Sequence, residues 1–297
     1  MTDAAARIAV SAPLTEGQPR DSRVKRLLSL IAASPIGAAG AAILLFWILC
    51  ALLAPWIAPY PPNRVDPAGL AYPFPSRAHW LGVDHLGRDM LSRILWGART
   101  VLLVAPIAVL GAAILGTFLG LASGYRGGWI DVLIMRIGDI ILSFPQIILF
   151  LIIIAKFGAS AFNIIVIITV TKAPIIARIV RAVTLDLKNR DYVAAARMRG
   201  ESPLFIMLVE ILPNARGPII VDFFLRLGYT IIAIGVLGFL GVGLPPPDPD
   251  WGSMIKETYG MLFVWPHMTI IPALAVSSLV IGCNFLASGI REAAQDE

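Results

Sequence analysis

The sequence predicts an all-α, polytopic membrane protein with six transmembrane helices and both termini in the cytoplasm. Three observations carry this expectation. Hydrophobic residues make up 58% of the 297 positions and charged residues 14%, where a soluble domain carries about 25% charged residues. The apolar residues gather into runs of about 20, the length that crosses the hydrocarbon core of a bilayer. Lysine and arginine collect in alternate connections. Arg20, Arg23, Lys25, Arg26, Arg126, Lys188, Arg190, Arg197, Arg199, Arg216 and Arg291 fall on the side of the N-terminus. The opposite side holds fewer, so the N-terminal side is cytoplasmic.

The first span is expected at about 36–58, "IGAAGAAILLFWILCALLAPWIA", after a basic, polar tail over 1–34. This run is too long for a signal peptide and reads as a retained helix. An outer loop follows, completing a segment over 35–97. A five-helix core over 98–288 has spans at about 98–123, 130–156, 161–185, 216–243 and 265–288. It carries a cytoplasmic loop at 186–215 and an outer loop at 244–264, and 289–297 forms a cytoplasmic tail. Cys50 and Cys283 lie inside apolar runs and read as small packing residues rather than a disulfide or metal framework. The net charge of +5 is interleaved with the apolar runs, which points to membrane orientation and not to nucleic acid.

The cytoplasmic loop stands out. "DYVAAARMRGESPLFIMLVEILPN", residues 191–214, reads as helix, turn, helix. Asp191 suits an N-cap, Gly200 a left-handed C-terminal turn, and Ser202-Pro203 a second N-cap with proline at the first helical position. The second helix is expected to stop near Pro213. Alanines beside Arg197 and Arg199 make a narrow, charged-rimmed knob. It suits either an interfacial helix on lipid headgroups or a docking point for a cytoplasmic partner.

Ionisable residues at membrane depth are functional candidates by default. Asp139, Lys172, Asp222 and Arg226 are such residues. Asp222 and Arg226 are four apart and can pair on one helix face. Lys172 is expected either to pair with Asp139 or to line a translocation path and attract an anionic group. On the outer side, His79, His85, Asp84 and Asp89 lack a helical ligand spacing, and no metal site is assigned to them. Asp250 and Trp251, in the Pro-rich "GLPPPDPDWGSMIKETYG", suit contact with an outer partner, and Trp251 and Trp265 also suit interfacial anchoring.

Four stretches together resemble one family. Ala195, Ala196, Gly200, Leu212 and Pro213 match, at the right spacing, the EAA loop of ABC-importer permeases. Ala194 stands where that family has Glu, and Glu210 where it often has Ile. "HWLGVDHLGRDMLSRILWGAR" (79–99), "MRIGDIILSFPQIIL" (135–149) and "LGFLGVGLPPPDPDWGSMI" (237–255) resemble segments of the dipeptide/oligopeptide/nickel permeases, in particular the C-type subunit. The resemblance implies the type I ABC-importer permease fold. It also implies a second, paralogous permease, two cytoplasmic ATPase subunits that hold ATP and Mg, and an extracytoplasmic binding protein. Ala194, Ala195, Ala196, Arg197, Arg199, Gly200, Leu212 and Pro213 would dock and couple the ATPases. Peptide is the leading substrate class, with oligosaccharides, nickel chelates and amino-acid conjugates as alternatives.

The chain itself is expected to hold no cofactor and to catalyse nothing. Its five lysines are Lys25, Lys156, Lys172, Lys188 and Lys256, and none follows a glycine, so no G-x-x-x-x-G-K-[ST] phosphate loop is encoded. Two other classes compete. An ion-coupled transporter would rest on Asp139 and Asp222. A membrane-embedded hydrolase would rest on His267, for which the sequence offers no partner.

Overall fold

The computed structural model describes residues 34–244 and 248–295. Most of the expected N-terminal tail, the prolines at 245–247 and the last two residues lie outside the described residues. The helices are α1 (Pro35–Ile57), α2 (Pro67–Ala71), α3 (Met90–Arg126), α4 (Gly128–Ser143), α5 (Gln146–Phe157), α6 (Ala161–Leu187) and α7 (Asp191–Met198). They continue as α8 (Pro203–Leu240), α9 (Trp251–Thr258) and α10 (Pro266–Gln295). α1, α3, α6, α8 and α10 are each long and apolar enough to cross a bilayer.

Several boundaries differ from expectation, for local reasons. α3 starts at Met90 because Asp89 caps it, accepting from the Ser92 N–H at 2.8 Å. Its 37 residues, at about 1.5 Å each, exceed the roughly 30 Å of hydrocarbon and carry it into an outer cap. The third span is not one helix: α4 and α5 meet at 87°. Pro145 brings no N–H and pushes Phe144 into extended backbone, with φ −85° and ψ 135°. α8 does not stop at Pro213. A π-turn over Ile206–Ile211 widens the helix, and the Leu212 N–H donates to the Met207 carbonyl. That turn accommodates a proline that an α-helix would reject. α10 runs on through the expected cytoplasmic tail to Gln295, and Glu292 accepts from the Ser34 hydroxyl at 2.7 Å.

α3 and α6 pack along a seam of glycines. A Cβ on Gly116 would lie 2.7 Å from the Ala173 carbonyl oxygen, one on Gly120 2.6 Å from that of Ala177, and one on Gly124 2.7 Å from Thr184 Cβ. Only bare backbone allows this approach. The contacts climb both helices in the same order, so α3 and α6 are parallel. The chain therefore returns across the membrane between them, and α4 with α5 is one broken span. That makes six crossings among the described residues. α1 lies against α10, where the Trp47 indole donates to the Ser278 hydroxyl at 3.0 Å. One apolar core joins α1, α3, α5, α6, α8, α9 and α10, and a second lies beneath α7.

The seam makes a testable demand. Gly120→Leu overpacks it and should destabilise the purified chain by about 1–3 kcal/mol, whereas Gly260→Ala meets nothing within 4 Å and should be neutral. Thermal unfolding in detergent measures both, and equal effects would show that the close approach is not limiting.

Candidate functional site

The cytoplasmic knob is built by local chemistry. Asp191 opens α7 inside its first turn, and Arg190 is the N-cap; no side chain caps it. The far end closes as a Schellman motif. Gly200 takes φ +77°, its N–H donates to Arg197 O at 3.0 Å, and the Glu201 N–H donates to Ala196 O at 3.2 Å. Ser202 then caps α8, accepting from the Phe205 N–H at 3.2 Å.

α7 has two faces. Val193 and Ala196 are buried against Leu121, Ile176, Val180, Ile206 and Ile211. Ala194, Arg197, Met198, Arg199 and Gly200 are exposed, Ala195 is half-buried, and Pro213 is exposed beside a half-buried Leu212. Met198, 85% exposed, escaped the sequence reading. Its signal is an apolar side chain set between two arginines. Glu210 accounts for its own departure from the family pattern, since it accepts from Arg199 at 3.0 Å and ties the knob to the π-turn.

The knob is fastened to the inner ends of the seam helices. The Arg197 guanidinium lies 5.2 Å from the Tyr125 ring centroid, and Lys188 donates to Gly124 O at 2.9 Å. Beside it, Asp131 accepts from Arg181 through both oxygens at 2.6 Å and from Ser123. That clamp joins α3, α4 and α6. It too escaped the sequence reading, because its members are 8 and 50 residues apart.

The intramembrane charges sort into pairs and one remainder. Asp222 and Arg226 form a two-pronged pair at 2.5 and 2.8 Å. Asp139 accepts from Arg178 at 2.5 Å, so of the two alternatives for Lys172 the pair with Asp139 does not form. Lys172, on α6, donates instead to Gln146 Oε1 at 2.9 Å, at the start of α5 just after the break.

The outer cap corrects two assignments. Trp251 is 0% exposed and Asp250 1%, so neither presents a surface to an outer partner. Trp251 donates to Ile94 O at 3.1 Å, packs on Trp47, and fills a slot where a Cβ on Gly97 would lie 2.5 Å from its Nε1. Asp250 is spent capping α9, accepting from the Gly252 and Ser253 N–H groups. His79 bridges Asp89 at 2.9 Å and Asp66 at 3.1 Å. Asp84, His85 and Glu257 offer donor atoms within 4.8 Å of one another, yet Arg88 already holds both carboxylates, at 2.6 and 2.7 Å. His267 bonds Pro73 O at 3.0 Å, so it pins the cap.

Residues 116–295 match the family model of the binding-protein-dependent transport system inner membrane component. Residues 31–73 match the N-terminal TM domain of oligopeptide transport permease C. The chain is 40% identical over 256 residues to the glutathione transport system permease protein GsiD of Pectobacterium atrosepticum, covering 86% of this chain and 85% of that protein. It is 40% identical over 246 residues to GsiD of Escherichia coli O157:H7, covering 83% and 81%. Among solved structures, a chain of the inward-facing MetNI methionine ABC transporter superposes with a TM-score of 0.54. It is 19% identical, and the match covers 70% of this chain and 98% of that one.

The outer cap should respond to pH. Burial opposes the charged His79 ring, but the bonds to Asp89 and Asp66 outweigh it and raise its pKa above the ordinary value. Its stabilisation is complete below about pH 6.5 and is lost as pH rises through the raised value. Burial pushes Asp250 up to about 6, so ionising it costs stability as pH climbs from about 4 toward that value. Both effects make the cap firmest in mild acid. The unfolding temperature of the purified chain should fall by about a few degrees between pH 6 and 8.5, and His79→Gln should flatten that fall. An unchanged slope would remove His79 from the account.

Proposed function

The chain belongs to the family of binding-protein-dependent transport system inner membrane components, and from that premise we propose that it forms one half of a heterodimeric pore for peptides, driven by ATPase chains docked on α7. It is the transmembrane subunit of a binding-protein-dependent importer, a multi-pass inner-membrane protein of the type I permease fold. It works with ATPase and binding-protein partners. A second, paralogous permease supplies the other half of the pore, and ATP and Mg stay with the ATPases.

The division of α7 into two faces carries the docking reading. Small Ala194 and the Arg197–Met198–Arg199 rim face outward, and Val193 and Ala196 fasten the same helix to the seam. A partner that moves the outer face moves the transmembrane helices with it. Glutathione is a tripeptide, and its transport by the 40% identical relatives supports peptides as the substrate class. An ion-coupled mechanism needs acids free to take up an ion, and Asp139 and Asp222 are each held by an arginine.

Ala194→Trp adds bulk on the exposed face, where the fold does not need the space. Gly200→Val strains the φ +77° turn. In the assembled importer each should cut ATPase co-purification and substrate-stimulated ATP hydrolysis by about tenfold or more, a cost of roughly 1.4 kcal/mol or above, while the chain still reaches the membrane. Full stimulation by both variants would make α7 an interfacial helix lying on lipid headgroups.

A further inference from the structure

Lys172 is the one intramembrane charge that the described residues leave uncompensated. It sits midway along α6 and is 8% exposed. It donates a hydrogen bond to a neutral acceptor, Gln146 Oε1. The two acids that the sequence places at membrane depth are committed elsewhere, Asp139 to Arg178 and Asp222 to Arg226. The charged neighbour that acts on it electrostatically is Arg226, a second cation. A buried ammonium is costly unless a counter-charge and further acceptors satisfy it.

The second observation is Gln146. Its Nε2 is buried with no partner. The amide therefore gives its oxygen to Lys172 and holds an unspent donor beside unspent hydrogens on Nζ. Two donors with no shared acceptor mark where an acceptor belongs. Gln146 opens α5 directly after the break, beside exposed Ser143, Phe144 and Pro145 on the α4 side. Irregular backbone at membrane depth is tolerated where it is buried in protein or lines a cavity.

We infer that Lys172 and Gln146 form a carboxylate-binding station at the α4–α5 break, which engages a carboxylate of the substrate as it crosses the membrane. A carboxylate presents two oxygens, one for Nζ and one for Nε2, and supplies the missing negative charge. The inference rests on the reading of the chain as a peptide-importer pore. It adds that selectivity for an anionic group lies within the membrane, in this chain.

The test uses the complete importer with its binding protein in proteoliposomes. The probes are trialanine with a free C-terminus and the same peptide as its C-terminal amide. The binding protein is constant, so any change in the acid-to-amide uptake ratio comes from this chain. Lys172→Met should lower that ratio by about tenfold, the size of a lost hydrogen bond to a charged group, with the fall in the free-acid arm. Gln146→Leu should lower it in the same direction and by less, and Lys172→Arg should restore most of it. An unchanged ratio in Lys172→Met and Gln146→Leu overturns the inference and leaves the importer reading standing. An equal fall in both peptides, with weakened co-purification of the second permease, also overturns it, since the missing carboxylate would then belong to that permease. If the unsubstituted importer takes up neither peptide while its ATPases still bind, the peptide reading fails and this inference falls with it.

Discussion

The close approach of α3 and α6 governs the rest of the architecture. Gly116, Gly120 and Gly124 let the two backbones meet where any side chain would collide with a carbonyl oxygen or a β-carbon. In a membrane the lipid tails are as apolar as leucine, so helices associate through packing and polar contacts and not by escape from water. A seam of bare backbone is therefore a strong fixed point. Its parallel sense forces the return span, and that span breaks at Phe144–Pro145. The break places Gln146 opposite Lys172.

The seam also sets where motion enters. Its inner end carries the Asp131–Arg181 clamp, the Lys188–Gly124 bond and the floor on which Val193 and Ala196 rest. α8 begins at the turn that closes the knob and runs without interruption to Leu240, a path of about 57 Å at 1.5 Å per residue. Gly238, near its outer end, lies directly against the Asp250 carboxyl group. One helix thus links the cytoplasmic knob to the outer cap, and the π-turn over Ile206–Ile211 is where its hydrogen-bond ladder is irregular. Paired charges at membrane depth let these helices carry arginines and acids without an open cost, and Lys172 is where that pairing stops.

Much of this was legible in the sequence because it is local. Apolar runs set the spans, lysine and arginine set the orientation, and Gly200 with Ser202 set the turn of the knob through backbone chemistry that needs no tertiary partner. What was not legible depends on partners distant in the chain. Pro213 reads as a stop, and only the π-turn before it lets α8 continue. Residues 90–97 read as outer loop, yet a cap on Asp89 and burial of Arg93 and Leu95 make them helix. Trp251 reads as an interfacial anchor because nothing near it in sequence announces the slot that Gly97 leaves open. The seam itself had a signal, glycines at 116, 120 and 124 on one helical face, which gains meaning only once α6 is seen to lie along it.

The central claim is that α7 and the inner end of α3 move as one body. Spin labels at Met198→Cys on the exposed tip of α7 and at Arg126→Cys, exposed at the end of α3, report on it directly, with Cys50 and Cys283 buried. Pulsed dipolar spectroscopy on the assembled importer would compare the nucleotide-free and ATP-bound states. The account predicts that this separation within the chain stays the same between states, while the separation from Met198 to the second permease changes. A Met198–Arg126 separation that shifts with nucleotide would show that the knob moves on its own and that the seam does not carry the stroke.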